Sequence, residues 1–155
     1  VARTLRDPLP EFLTLVVPAD WTAVATGRSA EILASRALPE FLDLQRWYAE
    51  KDKGAVATTV LFADRVHMAT DVGDTVLAFL DVTKAGEQAQ RYTLPLAVAW
   101  ESETDDPLLR LQPHVLARVR RGPRLGVLYD ATVSQEFPRV VIDAIGRGRE
   151  FPTAA

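Results

Sequence analysis

"RYTLPLAVAWE", residues 91–101, decides the fold. Tyr92, Leu94, Leu96, Val98 and Trp100 recur on one face at every second position, while Arg91, Thr93 and Glu101 fall on the other. That alternation is the signature of a strand with one face on a core. Upstream, the turn signal Lys84-Ala85-Gly86-Glu87 joins it to a second run. There Val76, Ala78, Leu80 and Val82 alternate with Leu77 and Phe79, so this strand is expected to be buried on both sides. Asp71-Val72-Gly73-Asp74 reads as another turn, preceded by Val56, Thr58, Val60 and Phe62 on one face of a strand that continues toward Val66. Downstream, an acidic loop from Glu101 to Pro107 leads to Val115, Ala117 and Val119, which alternate with Arg118 and Arg120. Arg121-Gly122-Pro123-Arg124 then turns the chain into Leu125, Val127 and Tyr129.

Helical spacing brackets these strands. Ser29 is placed as the N-cap of a helix carrying Ile32, Leu33 and Ala37. Pro39 cannot donate to that helix, so a stop or kink is expected near Leu38, with a new helical segment carrying Phe41 and Leu42. The run ends around Trp47 and Tyr48, which are expected to pin the helix to the sheet, and Glu50 to Gly54 form a charged turn. At the other end Ser134 caps a helix with Phe137, Val140, Val141, Ala144 and Ile145 in one apolar stripe, closed by Gly146 and Gly148. Hairpin-linked strands between two helices give an α+β fold: a curved antiparallel sheet of about five strands wrapped on an N-terminal helix, with a C-terminal helix. Residues 1–28, with Pro8, Pro10 and Pro18 around Phe12 to Val17, read as an extended connector or an edge strand.

Composition narrows the function. The 155 residues are 48% hydrophobic and 25% charged, the balance of one globular domain. With no cysteine, a disulfide framework, a zinc-thiolate site and a cysteine nucleophile are excluded. A net charge of −3 argues against nucleic acid as partner; Arg118, Arg120, Arg121 and Arg124 cluster around one turn, where a solvated hairpin is preferred to a contact with a phosphate or a partner's carboxylate. No apolar run approaches the roughly 20 residues of a membrane span. No signal segment opens the sequence, so no membrane association and a cytoplasmic location are expected.

Chemistry-bearing patterns are scarce. His67 and His114 each lack a second ligand at metal spacing, and neither a nucleophile elbow nor a phosphate-binding glycine loop is present. Gly146-Arg147-Gly148 is a helix stop, and Asp105-Asp106 is expected in solvent beside Pro107. Glu50, Asp52 and Asp64 are acids with nothing to set them opposite one another. Trp21, Trp47 and Trp100 remain as possible sugar-stacking rings. Trp100 shares the face of Leu94 and Leu96, and for Trp47 core packing is preferred to a platform. Trp21 is the least constrained.

"LPEFLDLQRWYAEKDK", residues 38–53, resembles the L-P-x-F-L-x-x-Q-R-W-F-x-G-K signature of bacterial maltokinases. Other stretches agree in order. "LTLVVPADWTAVATGRSAEILASRALPEFL" (13–42) is similar to the joint between trehalose synthase and maltokinase in fused enzymes. "YTLPLAVAWE" (92–101) and "RRGPRLGVLYDATVSQEFPRVVIDAIGRG" (120–148) resemble the later strands and the closing helix of the family's N-terminal cap. Gln45, Arg46, Trp47 and Lys51 match the signature, while Tyr48 replaces its Phe and Glu50 its Gly, which removes the glycine geometry there.

The resemblance implies a cystatin-like cap spanning 29–150, a linker at 1–28 from an upstream trehalose synthase region, and a link to the kinase at 151–155. It implies a parent that phosphorylates maltose to maltose 1-phosphate with ATP and magnesium. The partners would be the kinase lobes and the trehalose synthase domain of the same polypeptide. Phosphoryl transfer needs a nucleotide-binding lysine, metal-holding carboxylates and a catalytic aspartate. Lys51, Lys53 and Lys84 stand in no such context, so this chain is expected to be non-catalytic and to hold no cofactor. The alternative is a carbohydrate-binding or adaptor module using Trp21 or Trp47; a small stand-alone enzyme is the weakest reading, and a protease inhibitor rests on fold analogy alone.

Overall fold

The computed structural model describes residues 11–48 and 57–153. Among these residues six strands form one curled sheet: β1 (Thr14–Val16), β2 (Thr58–Thr70), β3 (Gly73–Lys84), β4 (Gln90–Trp100), β5 (Val115–Arg121) and β6 (Arg124–Asp130). Their order across the sheet is β1-β5-β6-β4-β3-β2. The curl follows from how β4 is shared. Residues Gln90 to Leu96 pair with β3, whereas Leu96 to Trp100 pair with β6, so the two wings lie along opposite halves of one strand. Pro95 sits where pairing with β6 begins, a boundary that tolerates its missing N–H.

A helical rod fills the concave side. It comprises α1 (Gly27–Ile32), a π-helical turn (Leu33–Ala37) and α2 (Leu38–Leu44). Leu33, Ala34, Ala37, Leu38, Phe41 and Leu42 pack against Val60, Ala78, Leu80, Val82, Leu94, Leu96, Val119 and Leu128. Each fully buried leucine contributes roughly 1.5–3 kcal/mol by leaving water. The new helical segment expected around Pro39 is α2, with the proline in its first turn, and the stop or kink expected near Leu38 takes the form of the π-helical turn before it. The Leu38 N–H donates five residues back, to the Leu33 carbonyl, and this widened turn makes room for the proline ring ahead of it. The first cap position is Thr26 and not Ser29, which lies inside α1.

Short helical pieces lie between these elements: α3 (Pro107–Leu111), at the end of the expected acidic loop, and 3-10 turns at Trp21–Ala25, Gln112–His114 and Ala131–Val133. Asp106 caps α3 by accepting from the Leu108 and Leu109 N–H groups at 3.1 and 3.4 Å. The final helix, α4 (Glu136–Gly146), lies on the convex side against β2 and β3. Val140 and Ala144 are buried there against Met68, with Val66, Leu77 and Val141 around them. Ser134 Oγ accepts from the Glu136 N–H at 3.0 Å, as its place ahead of the helix suggests. Ile145, expected in the buried stripe, is 75% exposed, because α4 meets the sheet along a narrow line through Val140 and Ala144.

Further departures from the expected pattern have local causes. The sheet is mixed with six strands, not antiparallel with five, because β1 pairs parallel to β5 (Thr14 opposite Arg118). Leu15, Val17, Trp21, Val24 and Ala25 join the main core, so the described part of 1–28 holds an edge strand, one of the two readings of that stretch, with a buried turn after it. In β2, Ala63 has no partner between the pairs Phe62–Leu80 and Asp64–Phe79. This bulge reverses the strand's alternation, so Val66 faces α4 and not the concave core. β3 has one buried face; Leu77 and Phe79 on the other are half-buried. The expected positions of Val56 and of the Glu50–Gly54 turn, with Lys51 and Asp52, lie outside the described residues.

Candidate functional site

The signature residues sit where the rod leaves the core. Gln45 is buried, and its Nε2 donates to the Phe41 carbonyl at 3.2 Å and to the Pro113 carbonyl at 3.4 Å, tying the end of α2 to the segment before β5. Arg46 is exposed. Trp47 is 44% exposed and Tyr48 only 1% exposed. Tyr92 of β4 joins the two, its ring 5.5 Å from Tyr48 edge-to-face and 6.0 Å from Trp47 at a tilt. Lys84, itself buried, holds its ammonium 5.6 Å from the Tyr48 ring centroid. The pin between helix and sheet is therefore Tyr48. Trp47, expected to share that role, lies on the surface with one side against Tyr92.

Trp21 offers no ring face to a sugar. It is 8% exposed, and its indole N–H donates to Asp74 Oδ2 at 3.1 Å. Asp74 Oδ1 also meets His67 Nε2, so an acid–imidazole pair stands at the tip of the β2–β3 hairpin. The side-chain hydrogen bonds found for the pair among the described residues are this one and the one from Trp21. Asp74 was legible only as a turn residue; the one clue to its role is that a buried tryptophan needs an acceptor for its N–H.

The other groups are dispersed. His114 Nδ1 is buried without a hydrogen-bond partner among the described residues. No group of three metal-ligating side chains occurs among them either. The arginine cluster is divided by the pleat: Arg118 and Arg120 flank Val119 on the convex side, while Arg121 and Arg124 lie 5.1 and 4.7 Å from the Trp100 ring. Trp100 is half-buried against the core, as its alternation suggested. It lies across Gly126, where an added Cβ would stand 2.9 Å from the indole and 2.6 Å from the Ala99 carbonyl. An open groove of about 980 Å3 runs between α2 and the start of β5, lined by Phe12, Leu13, Pro39 and Leu44 with the charged Glu11, Arg36 and Glu40 among others.

Asp105 and Asp106 are not an acid–base couple. The Arg110 guanidinium grips Asp105 in a two-pronged bond, Nε to Oδ1 at 3.0 Å and Nη2 to Oδ2 at 2.8 Å. That hydrogen bonding holds the Asp105 carboxyl below its ordinary value of 3.8, outweighing the upward push of desolvation. Arg91 does the same to Asp81. A carboxylate lowered in the folded state contributes stability that is present above its unfolded value and lost as pH falls through the lowered native one. The Arg110→Gln variant is expected to move Asp105 back up toward 3.8 in an NMR titration of its carboxyl carbon. An unmoved midpoint would dismiss the fork as the cause.

The described residues form a curled sheet with a rod in its concavity and a buried aromatic lock. The family model of the maltokinase N-terminal cap domain matches residues 41–133, more than half of the chain. The chain belongs to that family. No curated protein and no solved structure matches it. The matched part of the cap begins inside α2, at Phe41, and runs through β2–β6 to Val133, so it includes Gln45, Tyr48, Lys84 and Tyr92. The rest of the rod, β1 and α4 fall outside it. No helix among the described residues is long and apolar enough to cross a membrane.

Proposed function

We propose that this cap is a non-catalytic part of a maltokinase that transfers a phosphoryl group from ATP to maltose, giving maltose 1-phosphate. The carrying observation is the family match over the curled sheet and its aromatic lock. The cap packs on the N-lobe of the kinase, holding that lobe's position and the nucleotide's access to it. The parent is of the type fused behind trehalose synthase and feeds α-glucan synthesis in the cytoplasm. The proposal assigns ATP and magnesium to the kinase region: the sequence has no phosphate-binding glycine loop, and no group of three metal-ligating side chains occurs among the described residues. No step of phosphoryl transfer is therefore assigned to this chain.

The test is direct. Purified residues 1–155 are expected to unfold cooperatively and to form no maltose 1-phosphate from ATP and maltose, while the full-length protein forms it. Turnover by the 155-residue chain, or none by the full-length protein, would refute the proposal.

One observation favours a second reading, a sugar-binding surface: Trp47 is half-exposed beside Tyr92. Titrating maltose, trehalose and maltodextrin while following tryptophan fluorescence discriminates between them. A cap without sugar affinity shows no saturable shift up to high millimolar sugar, whereas a stacking platform shows one that Trp47→Ala removes.

A further inference from the structure

The last described residues leave α4 and run onto the outer edge of the sheet. Gly148, at φ +58, closes α4: the Arg149 N–H donates to the Ala144 carbonyl at 2.9 Å and the Gly148 N–H to the Ile145 carbonyl at 3.1 Å. These two bonds are the Schellman pattern, which turns a chain sharply away from its helix. The departure is held by side chains as well. Arg147 Nε meets Asp143 Oδ1 at 2.8 Å, and Arg149 Nη1 donates to the Ala69 carbonyl of β2 at 3.4 Å. Phe151 then packs with Val66, Met68 and Val140, and Thr153 forms an antiparallel bridge to Val66.

β2 is an outermost strand of the sheet, so that bridge is the first rung of a further strand. An antiparallel chain leaving Thr153 heads toward the N-terminal end of β2. Among the described residues, nothing pairs with the outer flank of β2 from Thr58 to Phe62, and Leu61 there is 61% exposed. An edge with free N–H and C=O groups is a template for an extended segment. A segment tethered next to its edge has a high effective concentration there.

We propose that the polypeptide C-terminal to this cap in the full-length protein continues as a seventh, antiparallel strand along β2 from Phe62 to Thr58. The cap is then joined to the next region of the polypeptide by a shared sheet and not by a loose tether. The occupant is argued from the direction of Thr153, its anchoring by Phe151 and the fixed exit from α4. This rests on the maltokinase reading, which places further polypeptide after the cap.

The test compares amide hydrogen exchange in residues 58–62 between the 155-residue chain and the full-length protein, with maltose phosphorylation assayed on the same full-length sample. The β2 amides directed away from β3 are expected to exchange at least about tenfold more slowly in the full-length protein, while those bonded to β3 serve as the internal reference. Equal exchange in a full-length protein that phosphorylates maltose overturns the added strand and leaves the functional reading standing. Slowed exchange in one that does not phosphorylate maltose upholds the strand and removes the functional reading. Slow exchange already present in the 155-residue chain, together with a doubled mass by light scattering, overturns the proposal in favour of a second copy.

Discussion

Tyr48→Ala is expected to lower the unfolding free energy by about 3–5 kcal/mol, the range for truncating a buried aromatic, while Trp47→Ala should cost less than about 1 kcal/mol. The neighbours differ this much because of where each ring ends. Tyr48 is enclosed between the end of α2 and β4, edge-on to Tyr92 and under the Lys84 ammonium, so its removal leaves a cavity that rigid neighbours cannot fill. Edge-to-face pairing adds about 0.5–1.5 kcal/mol beyond area. Trp47 has one side in water, and its truncation exposes part of Tyr92 without opening a void. Urea unfolding of the two variants checks the order. A Trp47→Ala loss as large as that of Tyr48→Ala would mean that both rings lock the rod to the sheet.

Trp21→Ala should be nearly as damaging, again about 3–5 kcal/mol. Its ring lies in the main core with Val17, Val24 and Ala25, and its N–H supplies a bond to Asp74 that spans from the first turn to the β2–β3 hairpin. Trp21→Phe separates the two contributions. It keeps most of the apolar volume and loses the hydrogen bond, for about 0.5–1.5 kcal/mol, since the partly exposed Asp74 carboxylate is met by water instead. A chain shortened by residues 1–26 loses β1 and these core side chains together and is expected not to unfold cooperatively. Near-native stability in that shortened chain would return the segment to the role of a connector.

The strands were readable because each carries its own evidence. Tyr92 to Trp100 alternates strictly, and the turns at Asp71–Asp74, Lys84–Glu87 and Arg121–Arg124 contain the glycines and small polar residues that hairpins use. Gly122 at φ +56 followed by Pro123 is one such turn, with a positive φ that suits glycine and a second position preset by the proline ring. The short helix α3 is not legible as a helix because five residues hold too little periodicity to separate from a loop. Its start is nonetheless marked, since Asp106-Pro107 is an N-cap followed by a first-turn proline. Nothing local marks the bulge at Ala63, whose effect is visible only in which face Val66 occupies.

The candidate site was legible in membership and not in arrangement. Gln45, Arg46, Trp47 and Tyr48 stand together in the sequence, yet one is a buried bridge, one a solvent-exposed arginine, one a half-exposed ring and one a fully buried lock. They lie at a helix end and in a turn, where no regular period assigns a face. What separates them is contact with Tyr92, Lys84 and Pro113, all remote from them along the chain.

By itself the sequence determined the α+β class, the order of helix, hairpins and helix, and most strand positions, because side-chain periodicity and turn chemistry are local properties. The tertiary structure alone decided that β1 runs parallel on the edge, that the rod passes Pro39 through a widened turn, and that Tyr48 and Trp21 are inside while Trp47 and Ile145 are out. Those outcomes depend on which distant surfaces meet, and burial is a property of the meeting and not of either stretch alone.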